Sequence, residues 1–320
     1  MSINLQASAE AQYLGCLRYV LATGTPHENR TGVKTIRVPG YMMVHDLRKG
    51  FPLLTTKKMA WKVVIHELLG FIHGKTTAAG LGSIWNKDAN ENGEWLANPH
   101  RQGDGDVGPV YGFQWRQFRG LSFVPGKDRN DIDEMVVTSV DQLLEAIRLI
   151  ISSPDSRRNI VVAWNPTQLK AMALVPCHVL YRFSVDRATN TLSISVYQRS
   201  CDLFLGVPFN MGSYALFLTM VAYATGLIPA YFTHFLDDAH IYENHVDQVN
   251  EQLTRVPLIP PTVHILDPFD GNARLGPSPE LAIQYLEALT PDHVILTGYQ
   301  SHPAIKGEMA TTPKDLPKVC

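Results

Sequence analysis

Cys177 is the residue in this sequence whose side chain and neighbours first raise the question of chemistry. It stands between Pro176 and His178 in the stretch MALVPCHVLY, with apolar residues on both sides. Most cysteines in such surroundings are small, buried and inert core residues. A thiol becomes a nucleophile only where a cation or a histidine stabilises its thiolate. Because adjacent side chains of a strand point to opposite faces, His178 alone does not make Cys177 catalytic.

Arginines beside turns and strand ends are the second group of candidate residues. Arg30 stands in ENRTG, Arg157 and Arg158 precede a strand in PDSRRNIV, and Arg199 is followed by Ser200 in YQRSCD. One such arginine is usually a solvated surface residue or an ion-pair partner. Together with a serine they would suit a phosphate dianion, and they would lower the pKa of a nearby thiol. The sequence alone does not show that they converge.

Polar residues within apolar stretches form the third group. Glu67 lies in VIHELLGF, where a buried carboxylate is costly unless it has a partner or a function. Asn210 opens an apolar helix and is either a helix cap or an amide that reads a polar ring edge. His240 and Tyr242 alternate in DAHIY, as two groups on one face of an extended segment would. Asp202 follows the Arg-Ser pair and is a partner for arginine or a ligand contact.

The elements that must position these residues follow from the hydrophobic pattern. Helical spacing and stop signals predict helices over 8–23, 58–74, 139–154 and 209–226, with a further helix within 237–255. Extended structure is predicted for 35–47, and β-branched and aromatic residues predict strands in NIVVAW, VLYRFSVD and TLSISVYQRS. Since strands and helices mix without strict alternation, we expect an α/β fold of the α+β type, with a large mixed sheet flanked by helices.

The domain organisation follows from length and local composition. The 320 residues, 45% of them hydrophobic, are enough for a large core, and we expect a single catalytic domain over 1–320. A polar stretch is predicted to form a surface insertion around 86–107, and 311–320 is interpreted as a C-terminal extension. No GxGxxG or Walker-type loop occurs in the sequence.

Charge and cysteine content exclude several classes of protein. The formal net charge of −2 argues against a general nucleic-acid binder, so no DNA binding is expected. Four scattered cysteines without a CxxC pair indicate a reduced, cytoplasmic protein without structural zinc or another metal. No signal peptide is evident, and the longest apolar region, 217–232, is too interrupted by Thr, Gly and Pro for a membrane span.

Several long motifs, in one order along the chain, resemble the thymidylate synthase family. They include ENRTG, GFPLLTTKK, IHELLGF, GPVYGFQWR, PDSRRNIVVAWNP, ALVPCHVLY, YQRSCDLFLGVPFNMGSYAL, LDDAHIYENH and GYQSHPAIKGEMA. The resemblance runs from about Tyr13 to Ala310. It implies the thymidylate synthase fold and an obligate homodimer.

The resemblance also implies a reaction. Cys177 would be the nucleophile that adds to C6 of dUMP, and 5,10-methylenetetrahydrofolate would be the cosubstrate that donates one carbon to C5. Glu67 would transfer protons through ordered water, with Tyr111 and His178 nearby. The expected product is dTMP, with dihydrofolate.

The remaining implied roles concern binding. For the nucleotide, Arg30, Arg199 and Ser200 would hold the phosphate, Arg157 and Arg158 would reach it from the other subunit, Asn210 would read the base, and His240 and Tyr242 would hold the sugar hydroxyl. For the folate, the implied contacts are Trp85, Leu174, Asp202 and Gly206.

Departures from the family pattern keep two alternatives open. Gly70 and Asp88 stand where the family usually has tryptophan, and Thr311 begins a tail where family chains commonly end. These changes could alter water access, so one alternative is a dUMP or dCMP 5-hydroxymethylase, in which water instead of hydride attacks the methylene carbon. The other is a non-catalytic RNA-binding or regulatory homologue.

Overall fold

A computed structural model of the chain describes residues 7–29, 31–124, 134–269 and 278–310. Within these ranges the helices are α1 (Ala9–Thr23), α2 (Trp61–Ile72), α3 (Ala78–Leu81), α4 (Asn86–Asn90), α5 (Gly93–Leu96), α6 (Tyr111–Gln117), α7 (Gln142–Ser152), α8 (Gly206–Thr225), α9 (Val246–Leu253) and α10 (Pro279–Ala288). The strands are β1 (Thr25–His27), β2 (Thr35–Asp46), β3 (Phe118–Val124), β4 (Glu134–Val140), β5 (Ile160–Val162), β6 (His178–Asp186), β7 (Thr191–Asp202), β8 (Ile228–Tyr242), β9 (Thr262–Ile265) and β10 (Val294–Thr297).

A six-stranded mixed sheet is the centre of the fold. Its strand order is β1-β2-β8-β7-β6-β5. β7 and β8 pair in parallel and are joined through α8, whereas the other neighbours in this sheet are antiparallel. Two antiparallel ribbons, β3 with β4 and β9 with β10, complete the described strands. The predicted mixed α/β fold with a large sheet flanked by helices is confirmed.

Helix α8 supplies much of the core. Its residues from Met211 to Ala222 are all buried, as expected for a helix that is apolar around its whole circumference. It ends at Gly226, whose φ of 71° is left-handed and therefore suits glycine. Its Tyr214 ring lies 6.2 Å from Phe232 on the inner face of β8. The helix predicted over 209–226 is confirmed, with a start three residues earlier than 209.

The opposite face of the sheet carries large apolar side chains that stay exposed. Burial alternates along β7 and β8, as a period of two requires, and the outward positions include Tyr197, Tyr231 and Phe235. Ile160 on the edge strand β5 is also exposed. In the part of the chain that the structure describes, helices thus cover one face of the sheet and leave these side chains of the other face exposed.

The polar stretch 86–107 differs from a simple surface insertion. It contains α4 and α5, and Trp95 is fully buried, with its indole Nε1 donating to the Asp106 carbonyl at 2.7 Å. Asn92 donates to the Ala173 carbonyl at 3.2 Å. The segment is therefore anchored against the residues that lead to Cys177. The polar composition of the segment did not predict these contacts, because only two side chains make them: the indole of Trp95 and the amide of Asn92.

A buried carboxylate joins the N-terminal helix to the loop before α2. The two Glu10 oxygens accept hydrogen bonds from the backbone N–H groups of Thr55 and Thr56 at 2.7–3.0 Å, and from both hydroxyls at 2.5 and 2.7 Å. Thr55 in turn accepts from the N–H groups of Leu258 and His302, both at 2.8 Å. Glu10 therefore holds together α1, the loop and the C-terminal part of the chain.

We predict that Glu10→Gln lowers the free energy of unfolding by about 1–3 kcal/mol. The amide keeps the shape of the side chain but has one acceptor oxygen, and its NH₂ group would face donors. Urea unfolding measures the change. Glu145→Gln is the matched control, because Glu145 is exposed and pairs only at the surface with Arg148; its expected cost is below about 1 kcal/mol. Equal stability of Glu10→Gln and the unsubstituted chain would contradict the role of Glu10.

Candidate active site

Cys177 lies in the loop directly before β6, beside the end of β7. The backbone N–H of Arg199 donates to the Cys177 carbonyl at 2.9 Å. The Arg199 guanidinium donates to the carbonyls of Pro176 and Val175 at 2.9 and 3.0 Å. Cys177 is partly exposed, whereas Cys16 and Cys201 are buried. A permanent positive charge therefore sits in the loop that carries the accessible thiol, an arrangement that favours a thiolate.

Tyr111 contacts the same loop from the first residue of α6. Its hydroxyl oxygen accepts a hydrogen bond from the Cys177 backbone N–H at 2.7 Å. Its ring lies 5.1 Å from His178 and 6.0 Å from Trp85. Burial raises the pKa of Tyr111 well above its usual value, so the hydroxyl keeps its proton. That proton can be donated to a substrate or to water.

His178 is buried on the inner side of the sheet and is neutral at physiological pH. Burial lowers its pKa to about 4, although a hydrogen bond with Asn210 opposes the shift. The ring packs against Tyr111 and Tyr214, with centroids 5.1 and 5.2 Å away. A neutral imidazole supplies no positive charge, so the charge beside Cys177 comes from Arg199.

Glu67 lies on α2 with one oxygen bound to Trp85. The indole Nε1 donates to Glu67 Oε1 at 2.8 Å. Burial raises the pKa of Glu67 to about 7, while the Trp85 hydrogen bond acts in the opposite direction and Asp88 adds to the rise. The side chain keeps some access to solvent. A carboxyl group with a pKa near neutrality can both accept and donate a proton at physiological pH.

Asn210 is partly buried and is hydrogen-bonded to the buried amide of Gln198, which in turn binds the buried imidazole of His234. Gln198 Nε2 donates to Asn210 Oδ1 and to the Ser200 carbonyl, both at 3.0 Å. Because the Gln198 nitrogen is thereby fixed, its oxygen accepts from His234 Nε2, which lies 2.8 Å away. These hydrogen bonds orient the Asn210 amide. Gln198 and His234 were not among the residues predicted for the site, although both are polar residues at inward positions of strands.

Asp202 closes the turn that leads into α8, and no side chain, that of Asn210 included, caps the start of this helix. Asp202 Oδ1 accepts from the N–H groups of Phe204 and Leu205 at 3.0 and 3.1 Å. Asn210 is the fifth residue of the helix, so its interpretation as a cap is wrong. A Cβ on Gly206 would lie 3.6 Å from the Asp202 Cβ and 3.8 Å from Asn210 Oδ1. Gly206 thus keeps the space between these two polar groups open.

Lys57 is a buried residue close enough to Asp202 to feel its charge. It was not among the residues predicted for the site. Its Nζ donates to the Phe204 carbonyl and lies 3.8 Å from the centre of the Phe204 ring. Burial lowers the pKa of Lys57 to about 7, and the charge of Asp202 opposes the shift. The KK pair in GFPLLTTKK gave no sign that one lysine is buried and the other exposed.

His240 and Tyr242 occupy the end of β8 beside Asp202. His240 pairs with Asp202 in the parallel register, and its carbonyl accepts from the Leu203 N–H at 2.9 Å. The His240 and Tyr242 rings meet edge to face, with centroids 5.2 Å apart. The structure therefore brings these two predicted residues to the edge that holds Asp202 and Arg199.

The other predicted residues have different positions. Ser200 is partly exposed on β7, next to Arg199, and Leu174 is partly buried in the loop before Cys177. Arg157 and Arg158 are exposed in the turn between α7 and β5. Arg30 lies outside the described residues, as does the extension 311–320.

Neither a metal site nor a membrane-spanning helix is found in the described residues. In the described ranges, no three His, Cys, Asp or Glu side chains are grouped so that they could hold a metal ion. The helices of the same ranges include none with the length and apolar character that crossing a bilayer requires.

Comparison with known proteins gives one consistent result. The family model described as thymidylate synthase matches residues 11–311. The chain is 41% identical to the thymidylate synthase of Pseudomonas putida strain KT2440 and 42% identical to that of Mycoplasma genitalium, in both cases over 93% of this chain and 99% of the relative. It is 44% identical to the thymidylate synthase of Equine herpesvirus 2, over 94% of this chain and 98% of the relative.

The raised pKa of Glu67 predicts a pH-dependent cost in stability. The folded protein holds this proton up to about pH 7, whereas a solvent-exposed glutamate loses it near pH 4.5. Between these pH values the folded state binds more protons than the unfolded chain, so stability falls as the pH rises. Glu67→Gln removes the effect. As the pH rises from 5 to 8, we expect the free energy of unfolding of Glu67→Gln to increase by about 1–2 kcal/mol relative to that of the unsubstituted chain. The expected change is modest because the Glu67 carboxyl group keeps some solvent access.

Urea unfolding at several pH values measures this gain. Glu91→Gln is the matched control, since it makes the same change at an exposed position. A stability difference between Glu67→Gln and the unsubstituted chain that stays constant across this pH range would show that the Glu67 pKa is not raised.

Proposed function

Because the chain belongs to the thymidylate synthase family, we propose that it transfers the one-carbon unit of 5,10-methylenetetrahydrofolate to C5 of dUMP and forms dTMP and dihydrofolate. The observation that carries the proposal is the loop around Cys177. It holds an accessible thiol, and Arg199 and Tyr111 bind its backbone directly. Relatives named thymidylate synthase match nearly the whole chain. The hydroxymethylase alternative is not favoured.

The nucleotide would bind at the edge where β7 and β8 end. Arg199 and Ser200 are proposed to hold the phosphate together with Arg30. Tyr242 and His240, whose rings meet at this edge, would bind the sugar hydroxyl. A phosphate dianion on Arg199 suits a guanidinium that is fixed by two backbone carbonyls and so loses little freedom on binding.

Asn210 would read the base. Its Oδ1 already accepts from Gln198, which fixes Oδ1 and Nδ2 in distinct directions. The Nδ2 group can then donate to O4 of a uracil, and Oδ1 has a second lone pair for N3–H. Cytosine presents the reverse pattern of donor and acceptor at these two positions. The fixed orientation of the Asn210 amide therefore supports uracil as the preferred base.

Covalent addition would begin at the thiolate. Cys177 Sγ forms a bond to C6, and the C5–C6 π electrons move toward C5 and O4, where the Asn210 amide stabilises them. C5 becomes nucleophilic and accepts the one-carbon unit. Loss of the C5 proton would expel the folate nitrogen and leave a methylene group on C5. Hydride from the tetrahydrofolate would add to that methylene carbon, giving the methyl group and dihydrofolate, and the sulfur would leave C6 as the C5–C6 double bond re-forms. Glu67, with a pKa near 7, and the protonated Tyr111 are the proposed groups for proton transfer.

The folate would lie between Trp85, Leu174, Asp202 and Gly206. Asp202 offers a carboxylate oxygen for pterin nitrogens, Leu174 offers apolar surface, and Gly206 leaves space beside them. These groups fit an aromatic, nitrogen-rich ring. When bound, methylenetetrahydrofolate supplies the carbon and the hydride. The protein's part is to orient it and to exclude water.

A homodimer is proposed to complete the phosphate site. The sheet face with Ile160, Tyr197, Tyr231 and Phe235 exposes large apolar side chains, which a second copy of the chain would cover. Arg157 and Arg158 directly precede β5 at the edge of that sheet, and we propose that they act in the partner's site. A cytoplasmic location is proposed because the four cysteines are scattered along the sequence without a CxxC pair, a usage typical of a reducing compartment.

Product analysis tests the proposed function. With dUMP and methylenetetrahydrofolate, we expect mass spectrometry to detect dTMP and absorbance to detect dihydrofolate in equal amounts. Cys177→Ser should lower turnover by at least a thousandfold, because a serine hydroxyl is almost never ionised at neutral pH. Cys201→Ser is the matched control, since Cys201 is buried away from solvent. A hydroxymethyl product without dihydrofolate would contradict the proposal, as would substantial turnover by Cys177→Ser.

Mixing two inactive variants tests the shared site. Cys177→Ser lacks the nucleophile and Arg157→Ala lacks the arginine proposed to act in trans, so each homodimer should be weak. After co-refolding, a heterodimer would contain one site with both residues intact, and activity should reappear. Arg187→Ala, which changes another exposed arginine, is the control for nonspecific charge effects. Proven heterodimers without recovered activity would place Arg157 outside the partner's site.

A further inference from the structure

The C-terminal part of the described chain packs at Gly307 against Phe204, which lies between the proposed folate contacts Asp202 and Gly206 in the chain. We call residues 299–310 the closing segment. Three contacts fix its first half: Tyr299 Oη donates to the Leu54 carbonyl at 2.8 Å, the His302 N–H donates to the Thr55 carbonyl at 2.8 Å, and Arg255 donates to the Pro303 carbonyl at 2.6 Å. Its second half depends on a different residue, His245.

His245 is fully buried and binds the closing segment directly. Its Nε2 lies 2.8 Å from the Glu308 carbonyl oxygen. A carbonyl can only accept, so Nε2 carries the proton and donates it. The same ring packs 5.0 Å from Phe204 and meets Tyr242 edge to face at 5.9 Å. One imidazole thus contacts the closing segment, the proposed folate side and the proposed nucleotide side.

Gly307 makes this contact possible. A Cβ at this position would lie 2.7 Å from Phe204 Cε1 and 3.1 Å from His245 Nε2. The first distance is shorter than real contacts of a Cβ atom, so a larger residue would move the segment away from both rings. The close approach at Gly307 and the hydrogen bond at Glu308 are independent observations of the same junction.

We propose that His245 is a positioning residue that fixes the closing segment over the folate once Tyr242 has bound the nucleotide. The proposal rests on the proposed function. Tyr242 and Phe204 limit where the imidazole can lie, and the imidazole limits where the Glu308 carbonyl can lie. Without the His245 donor, that carbonyl keeps only the long 3.5 Å contact with the Asn244 amide, and the segment closes less often over the folate. The folate should then bind more weakly, and water should reach the site more often.

Two substitutions at His245 separate the hydrogen bond from packing. His245→Phe keeps a ring against Phe204 and Tyr242 but removes the donor. His245→Gln loses the ring but can place its own Nε2 near the same carbonyl. We expect His245→Phe to raise KM for methylenetetrahydrofolate about threefold to tenfold, with KM for dUMP unchanged. His245→Gln should restore the folate KM to within about threefold of the unsubstituted enzyme.

A product ratio distinguishes positioning from a merely structural role. With dUMP labelled by tritium at C5, we expect the unsubstituted enzyme to form one dihydrofolate for each tritium released. His245→Phe should form less than one, because an open segment admits water before hydride transfer. Gly307→Ala should lower the ratio in the same way. Asn244→Ala is the matched control: its amide lies at 3.5 Å from the same carbonyl, so its loss should change neither KM nor ratio.

Hydrogen exchange provides a readout that does not depend on turnover. In the presence of dUMP alone, the backbone amides of residues 304–310 should exchange faster in His245→Phe than in Asn244→Ala. Equal exchange, an unchanged folate KM and a ratio of one in a folded His245→Phe variant would overturn the proposal. Failure of the proposed function would look different, because the unsubstituted enzyme would then form no dihydrofolate while the exchange difference would remain.

Discussion

The hydrogen bonds between Arg199 and the backbone of residues 175–177 are the interaction on which the site depends. Two come from the guanidinium and one from the backbone N–H, so strand β7 holds the loop before β6 at three consecutive carbonyls. These bonds fix the Cys177 backbone from one side while the Tyr111 hydroxyl fixes it from the other. Arg199 therefore has two roles: it fixes the backbone of the loop before β6, and its positive charge favours the thiolate of Cys177.

Burial assigns the charge states of the residues around that loop. It keeps His178 neutral and Tyr111 protonated, and it moves the pKa values of Glu67 and Lys57 to about 7. Arg199 keeps its charge because a guanidinium is not deprotonated in proteins. The site thus combines the permanent charge of Arg199 with Glu67 and Lys57, which exchange protons near neutral pH. This combination suits a reaction in which negative charge forms on a pyrimidine ring and is later neutralised.

Much of the fold could be predicted, because a strong hydrophobic periodicity within a segment determines whether that segment forms a helix or a strand. The expected helices over 8–23 and 139–154 correspond to α1 and α7, and TLSISVYQRS lies within β7. Contacts made by isolated polar residues could not be predicted. Glu10 and Lys57 look like surface residues in sequence, and their burial follows from partners far along the chain. Similarly, the motifs supplied most of the residues proposed for the site. The hydrogen bonds by which His234 and Gln198 orient Asn210 could not be predicted, because they depend on the pairing of β7 with β8.

The parallel pairing of β7 and β8 explains how residues from distant parts of the chain meet. Since the two strands run in the same direction, both end at one edge, which places Asp202 beside His240. Helix α8 leaves from that edge and brings Asn210 back over it. β6 runs the other way, so it begins there with Cys177 just before it. An antiparallel β8 would have put its terminal His240 and Tyr242 at the far edge. The crossover through α8 is therefore what brings the thiol, the Arg199 cation, the Asn210 amide and the proposed sugar-binding residues to one place.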